Sequence, residues 1–380
     1  MEYNLCIIKP NRSSFSETFI QAHIENLAGN KKVLYGGTFP VYDHEGNFLI
    51  RSYWSILSYL IKKRLFKQDN IIELNKALSD YLIAQNIDVV LAEYGMVGAK
   101  VMAACRMANV PLVIHFHGAD AHHRPTIEKY KQQYEESFKY AKAIVVVSED
   151  MRASLVKLGA PTDKLFLNPY GIDVDKFSPV NVSLSAINFI AVGRFVSKKA
   201  PLITIEAFRL LTDSYKNAHL WMVGDGPLLA SAKQKAKELN MEEKITFTGI
   251  LSSAQIIGLF KKMRCFVQHS VTAIDGDMEG TPNTILEASS SALPIISTRH
   301  AGIKDAVING VTGFLVEEYD VNGTTEKMKA IAGSAALAAR LGEAGRMHMI
   351  RNYQMKDRIK ALDRIIQNCI SPVITSTQNG

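Results

Sequence analysis

The chain has 380 residues, 47% of them apolar and 21% charged, with a formal net charge of +7. That length and composition support two domains with full cores and exclude a disordered or low-complexity chain. No stretch reaches about 18 uninterrupted apolar residues, so no transmembrane helix is expected. Cys6, Cys105, Cys265 and Cys369 form no CxxC or Cys/His metal motif, so reduced, buried thiols of a cytoplasmic protein are expected. The N-terminus, MEYNLCIIKP, lacks the basic n-region and long apolar run of a signal peptide. The modest positive charge suits an anionic small molecule or an anionic membrane surface. Nucleic acid is not expected, because no RNA or DNA motif and no long Lys/Arg run occurs.

Short apolar runs alternate with helical patterns along most of the chain. In the first half the predicted strands are YNLCIIK (3–9), KVLYGG (32–37), DVVLAEY (88–94), PLVIHFHG (111–118) and AIVVVSED (143–150). Helical patterns lie between them, as in GAKVMAACRMANV (98–110) and TIEKYKQQYEESFKYAK (126–142). One further stretch, RSYWSILSYLIKKRLFKQ (51–68), sets Tyr53, Trp54, Ile56, Leu57, Leu60, Ile61 and Leu65 beside Arg51, Lys62, Lys63, Arg64 and Lys67, with no acid among them. It reads as an interfacial helix for an anionic bilayer, or as a core-packing helix with a solvated basic end. After the turn-rich NPYGIDVDKFSPVNVSLS (168–185), strands resume at INFIAVGRF (187–195), HLWMVGDG (219–226), KITFTG (244–249), RCFVQHS (264–270) and LPIIST (293–298), and 321–369 is helical in pattern. The alternation predicts α/β architecture with two Rossmann-like, doubly wound parallel-sheet domains. The expected division is 1–180, 181–355, and a C-terminal helix within 356–380 that returns to the first domain. Ligands of such sheets bind beyond the carboxyl ends of strands, so the informative residues should follow strands.

The stretch DGDMEGTPNTILEASSSALPIIST (275–298) turns from an acidic loop into a helix. Thr281 is expected as the N-cap with Pro282 at the first helical position, leaving backbone N–H groups and the positive end of the helix dipole for a phosphate or diphosphate. Gly280 would let a ligand approach the backbone. A carboxylate at Glu279 does not suit phosphate and fits sugar hydroxyls better. Glu287, a turn further on, can accept from vicinal hydroxyls such as those of a ribose. Sugar, diphosphate and ribose in that order describe a nucleotide sugar; a plain capped helix with an acid near its start is the alternative. Asp275 and Asp277 are expected to order the loop. Gly224 and Gly226 begin a G-x-G-x-x-G pattern, but Leu229 breaks it.

The E-G-x-P-N element followed by a second acid, E-x7-E, resembles the donor-site motif of family 4 retaining glycosyltransferases, which have the GT-B fold, two such domains facing a central cleft. AVGRFVSKKAP (191–201), LWMVGDGP (220–227), VSEDMRASLVKLGAPTDKLFLNPYGIDVDKFSP (147–179) and STRHAGIKDAVINGVTGFLV (297–316) are similar to further family elements, and SETFI (16–20) with SVTAIDGDMEGTPNTILEA (270–288) resembles the colanic-acid and exopolysaccharide branch. The resemblance implies that Gly193, Arg194 and Lys199 meet the donor diphosphate, although Ala200 stands where the family has glycine. It implies that Glu287 binds the ribose and Glu279 lies against the transferred sugar. Gly280, Thr281, Pro282, Asn283 and Thr284 would form the helix start, with Gly224 and Gly226 near the nucleotide. His117, in HFHGAD (115–120), matches a histidine near the donor sugar, and His115 is assigned to the other side of the strand as a structural residue. Asp120 is assigned to loop ordering or the acceptor side. Ser16 as a cap, with Glu17 and Thr18 in the first turn, would face the acceptor or the diphosphate, or serve the helix alone.

The resemblance thus implies a retaining hexosyltransferase acting on a UDP- or GDP-sugar, with His117, Glu279, Arg194 and Lys199 at the catalytic centre. The acceptor would be a glycan or a polyprenyl-diphosphate-linked sugar, reached from the inner face of the cytoplasmic membrane by way of 51–68. No nucleophilic carboxylate, metal or other cofactor is expected. A nucleotide-sugar 2-epimerase and a non-catalytic nucleotide-sugar binder are the rival readings.

Overall fold

The computed structural model describes residues 3–12, 17–50, 52–65 and 72–370. Ser16, Arg51 and Lys67, singled out above, lie outside that set, as do the side chains of Tyr53, Leu60, Lys62, Lys63, Arg64 and Leu65. The described chain divides into two compact units: 1–147 with 151–168 and 356–380, and 148–150 with 169–355. The turn-rich stretch near 180 therefore belongs to the second unit, whose chain begins at Pro169.

The first unit carries strands β1 (Asn4–Lys9), β2 (Asn30–Tyr35), β3 (Tyr42–Asp43), β4 (Val89–Glu93), β5 (Leu112–His115), β6 (Ala143–Val146) and β7 (Leu165–Leu167). They form one sheet in the order β3-β2-β1-β4-β5-β6-β7, parallel except for the β2–β3 edge pair. The central strands are apolar without alternation. Leu5, Ile7, Val90, Leu91, Val113 and Ile144 are all fully buried, as expected where helices cover both faces of a parallel sheet. The helix Met355–Ile370 belongs to this unit from Lys356 onward. Its Asp363 accepts hydrogen bonds from the Tyr3 hydroxyl and the Ala28 N–H, both at 3.0 Å, and Leu362 and Ile366 are buried beneath it.

The second unit carries β8 (Asn188–Val192), β9 (His219–Val223), β10 (Ile245–Gly249), β11 (Cys265–Gln268), β12 (Ile295–Thr298) and β13 (Gly313–Val316). Their order, β10-β9-β8-β11-β12-β13, is fully parallel. In both sheets the strand order reverses beside the first strand, at β1/β4 and at β8/β11. The crevice outside the carboxyl ends at such a switch point is where open α/β sheets bind ligands.

Among the described side chains of the helix Tyr53–Leu65, the apolar ones fall on two faces. Ile56 and Tyr59 pack with Ile50 and Leu74. Trp54 is 75% exposed, and Leu57 and Ile61 are exposed as well. The spacing of these three, i, i+3 and i+7, places them on one outward face. Among the described residues, no helix is long and apolar enough to cross a membrane. Cys6, Cys105 and Cys265 are buried free thiols, and burial raises the pKa of each.

Candidate active site

At the switch point of the second unit, β8 runs into Gly193–Lys199 and β11 ends at Gln268. Lys199 Nζ donates to Gln268 Oε1 at 3.2 Å and lies 3.2 Å from Glu279 Oε1. Gln268 is buried; its amide donates to Ser270 Oγ at 2.9 Å and its Oε1 also accepts from Thr284 Oγ1 at 3.4 Å. Arg194 is exposed at the rim of a depression that Gly193, Phe195, Lys199, Pro201 and Gln268 also line. The two cations are thus placed differently: Lys199 is tied to the floor, whereas the Arg194 fork reaches solvent.

Glu279 is buried. Burial is the largest influence and pushes its pKa up, but the Lys199 and Lys198 ammonium groups more than offset it and leave the carboxyl below its usual range. The Lys199 contact is an ion pair without hydrogen-bond alignment, so Oε1 keeps unused acceptor capacity. The backbone of Glu279 is held separately: its N–H donates to His300 Nε2 at 3.1 Å, and His300 Nδ1 lies 2.6 Å from Glu318 Oε1. Since Nε2 accepts, the ring proton is on Nδ1 and is donated to Glu318. Glu318 also accepts from the Thr272 N–H at 2.9 Å. The loop before Glu279 is ordered by its acids. Asp277 accepts from Lys198 Nζ at 3.1 Å, and the Asp277 N–H donates to Asp275 at 3.1 Å.

The helix that follows is Asn283–Ser290, with Pro282 at the N-cap in extended conformation. This corrects the expected start by one residue: Thr281 precedes the cap, Pro282 is not the first helical residue, and no side chain caps the helix. Proline remains harmless there, because an N-cap N–H has no intrahelical acceptor to lose. The N–H groups of Asn283 and Thr284 have no backbone acceptor among the described residues. Glu287 lies one turn on. Burial alone drives its pKa from 4.5 to about 7, and no ion pair to it is found among the described residues.

Gly224 and Gly226 have a packing reason as well as the nucleotide contact expected of them. A Cβ at Gly224 would stand 2.0 Å from the Gly193 carbonyl oxygen, and one at Gly226 would stand 2.7 Å from that of Phe195. Only glycine lets the loops after β8 and β9 lie this close. Ala200 takes the left-handed conformation, φ 36° and ψ 54°, at the point where the family has glycine.

In the first unit, His117 follows β5. Its N–H donates to Asp120 Oδ1 at 3.0 Å, and its Nε2 lies 2.8 Å from Glu93 Oε2. Asp120 is fully buried and also accepts from the Gly118 and Gly95 N–H groups at 2.8 Å each, so its carboxylate orders the loop. His115 is not on the far side of the strand. Residues two apart share a face, and its Nδ1 lies 3.6 Å from the same Glu93 oxygen. Burial, reinforced by His117, lowers its pKa to about 3. The helix Thr18–Asn26 has Glu17 at its N-cap, so Glu17 precedes the first turn and Thr18 opens it. Glu17 Oε1 accepts from Tyr94 Oη at 3.2 Å and Asn11 Nδ2 at 3.0 Å.

A model described as Glycosyl transferases group 1 matches residues 176–348, and one described as Glycosyltransferase Family 4 matches residues 41–176. The chain belongs to glycosyltransferase family 4. Among curated relatives of this family 4 chain is the WcaL glycosyltransferase of Escherichia coli K12, ascribed to colanic acid biosynthesis and 27% identical over 64% of this chain. Another E. coli protein, named UDP-Gal:alpha-D-GlcNAc-diphosphoundecaprenol alpha-1,3-galactosyltransferase, is 26% identical over 65% of this chain. The chain spans 61% and 66% of the length of these two relatives. Of solved structures, Anabaena Alr3699/HepE in complex with UDP and glucose superposes with a TM-score of 0.74 over 97% of this chain and 100% of that one, at 13% identity. At that identity the likeness shows the GT-B fold alone.

The structure brings Gly193, Lys199, Gln268, Glu279 and the helix start at Asn283 together in one unit, and His117 and Asp120 together in the other. Sequence reasoning missed Gln268, His300 and Glu318 in the second unit, and His23 and Glu93 in the first. His300 carried a signal, a histidine in a loop directly after a strand. Glu93 carried another, an acid inside an apolar strand.

Proposed function

We propose that this chain is a retaining glycosyltransferase that moves a hexose from a nucleotide diphosphate sugar to a glycan acceptor in exopolysaccharide synthesis. The observation that carries this reading is the grouping of Lys199, Gln268 and Glu279 at the β8/β11 switch point beside a helix start with N–H groups to offer. Arg194 and Lys199 meet the diphosphate, one as a fork and one as a point charge. Glu279 accepts from hydroxyls of the transferred sugar, and Glu287 accepts from the ribose. His117 serves the same reaction from the first unit.

In the transfer, the bond from the anomeric carbon to the diphosphate oxygen breaks and the bond to the acceptor oxygen forms on the same face. The acceptor proton passes to the departing diphosphate. Negative charge builds on that diphosphate, and the two cations with the helix start stabilise it, so no metal ion is assigned to the step. Relatives named as GDP-mannose-dependent and as UDP-Gal-dependent transferases support a nucleotide diphosphate sugar of either base as donor, and the diphosphoundecaprenol in one of those names supports a lipid-diphosphate-linked acceptor. The outward face of Trp54, Leu57 and Ile61 supports a peripheral position on an anionic bilayer.

The test is a donor screen. The protein is titrated with UDP- and GDP-sugars, following thermal stabilisation, slow donor hydrolysis and the configuration of the released sugar. Stabilisation by one nucleotide class that is lost in Glu287→Ala, with retained anomeric configuration, is expected. Conversion at C2 without hydrolysis would favour an epimerase, and stabilisation without turnover would favour a binding protein.

A further inference from the structure

His117 has a part in the reaction proposed above, but its surroundings are unaccounted for. Glu93 ends β4, and the strand register sets it beside His115 of β5. Its side chain is fully buried. His23 Nδ1 lies 2.8 Å from one carboxylate oxygen, and His117 Nε2 lies 2.8 Å from the other. The rings pack closely: His115 is 5.2 Å from His23 and 4.4 Å from His117 between centroids, and Phe19 and Tyr94 stand 4.5 and 4.6 Å from His117. The other charged groups around the cluster are Lys9, at the end of β1, Glu17, bonded to Tyr94, and Asp120, bonded to the His117 backbone.

Three imidazoles and a carboxylate are also a possible ligand set, and His23, Glu93 and His115 lie close enough to hold an ion. Tetrahedral ligands at zinc distances stand about 3.3–3.4 Å apart. The two contacts of 2.8 Å are hydrogen-bond lengths instead. Burial is the largest influence on Glu93 and raises its pKa. His23 and the hydrogen bonds from the three histidines outweigh it and hold the carboxyl well below its usual range. An ionised carboxylate only accepts, so both ring nitrogens at 2.8 Å carry protons.

We propose that Glu93 is the positioning residue of His117: it locks the ring in the Nε2–H tautomer and makes Nδ1 its hydrogen-bond-accepting atom, while His23 braces the other carboxylate oxygen. The Asp120 carboxylate fixes the backbone of the same residue, so ring and main chain are each held by an acid. The logic is that of a carboxylate orienting a catalytic imidazole. The kinetic consequence rests on the transferase reading; the tautomer does not.

The experiment is nitrogen NMR of the full chain labelled at its histidine rings, between pH 6 and 8, with kinetics of Glu93→Gln. Wild-type His117 should show a single Nε2–H tautomer, and Glu93→Gln should lose that preference. The variant's kcat should fall about 100-fold, the cost of a misplaced positioning group, with the donor KM changed less than about threefold. In a His117→Ala background the same substitution should lower kcat by no more than about threefold, because the two residues act as a unit. A wild-type His117 in the Nδ1–H or a mixed tautomer overturns the proposal, as does an undiminished effect in the His117→Ala background. Stoichiometric zinc whose removal shifts the His23 and His117 resonances would overturn it too. A locked tautomer in a protein that transfers no sugar would sink the transferase reading and leave this inference standing.

Discussion

Replacing Glu287 with glutamine should stabilise the unliganded protein while weakening its hold on a nucleotide. Burial moves this carboxyl from 4.5 to about 7, and no cation among the described residues pairs with it. The gap between those values corresponds to about 3 kcal/mol of unfavourable burial of the charge. Solvent at its edge reduces that to about 2 kcal/mol. The sign follows from proton binding. The folded pKa lies above the unfolded one, so between pH 4.5 and about 7 the folded protein binds the extra proton, and stability falls as pH rises through that window. Glutamine abolishes the dependence. At pH 8 the variant should melt about 4–8 °C above wild type, since 1 kcal/mol is worth about 2–4 °C in a domain of this size. At pH 4.5 the two should melt together. UDP should narrow or reverse the gap at pH 8, because ribose hydroxyls donate to the ionised carboxylate and have a poorer acceptor in glutamine. Differential scanning fluorimetry over pH, with and without UDP, measures all of this. A gap that does not grow with pH, or UDP protection equal in both proteins, would refute the reasoning.

Gly224→Ala should lower stability by about 3 kcal/mol or more and abolish donor binding, because its Cβ would stand 2.0 Å from the Gly193 carbonyl oxygen at a φ of +133°; circular dichroism melts check the first and donor titration the second. Ala200→Gly should do the reverse, raising stability by about 1 kcal/mol by relieving a left-handed alanine at φ 36°; an unchanged melting temperature would count against that strain. His300→Ala should cost about 1–3 kcal/mol by stranding the Glu279 N–H and the Glu318 carboxylate; donor affinity should fall with it, read by calorimetry. Replacing Trp54, Leu57 and Ile61 with serine should release the protein from phosphatidylglycerol vesicles in co-sedimentation and leave its melting temperature within about 2 °C, since these side chains face outward; retention of the variant would rule out this helix face as the anchor, and a wild type that does not sediment with the vesicles would remove the membrane from the reading.

The doubly wound order was legible because it depends on local pattern. Apolar runs such as LCIIK and VVLAE bury on both faces, and helical patterns between them leave few ways to connect parallel strands. The helix start proposed as the donor site is local in the same way: Gly280 to Thr284 and Glu287 lie on one continuous stretch. The Glu93 cluster was not. It joins residues 70 and 24 positions apart, and it depends on the β4–β5 register and on how the helix Thr18–Asn26 docks. Gln268 was hidden by its place in an apolar strand, where its role appears only once Lys199, Ser270 and Thr284 converge on it. The misplaced cap has a smaller cause: a Thr-Pro pair offers two helix starts one residue apart, and local preference does not choose between them.

The return of the helix Met355–Ile370 to the first sheet inverts the order in which the halves can be finished on the ribosome. Domains usually fold in turn as they emerge. Here Asp363, which ties Tyr3 and Ala28, emerges after the whole of 169–355. At roughly 5–20 residues per second, the first sheet waits roughly ten to forty seconds for its last helix. The second unit, nearly continuous in sequence, can close meanwhile. A nascent chain of this protein therefore carries an unfinished first half through most of its synthesis, with the surface that Leu362 and Ile366 later cover open to chaperones.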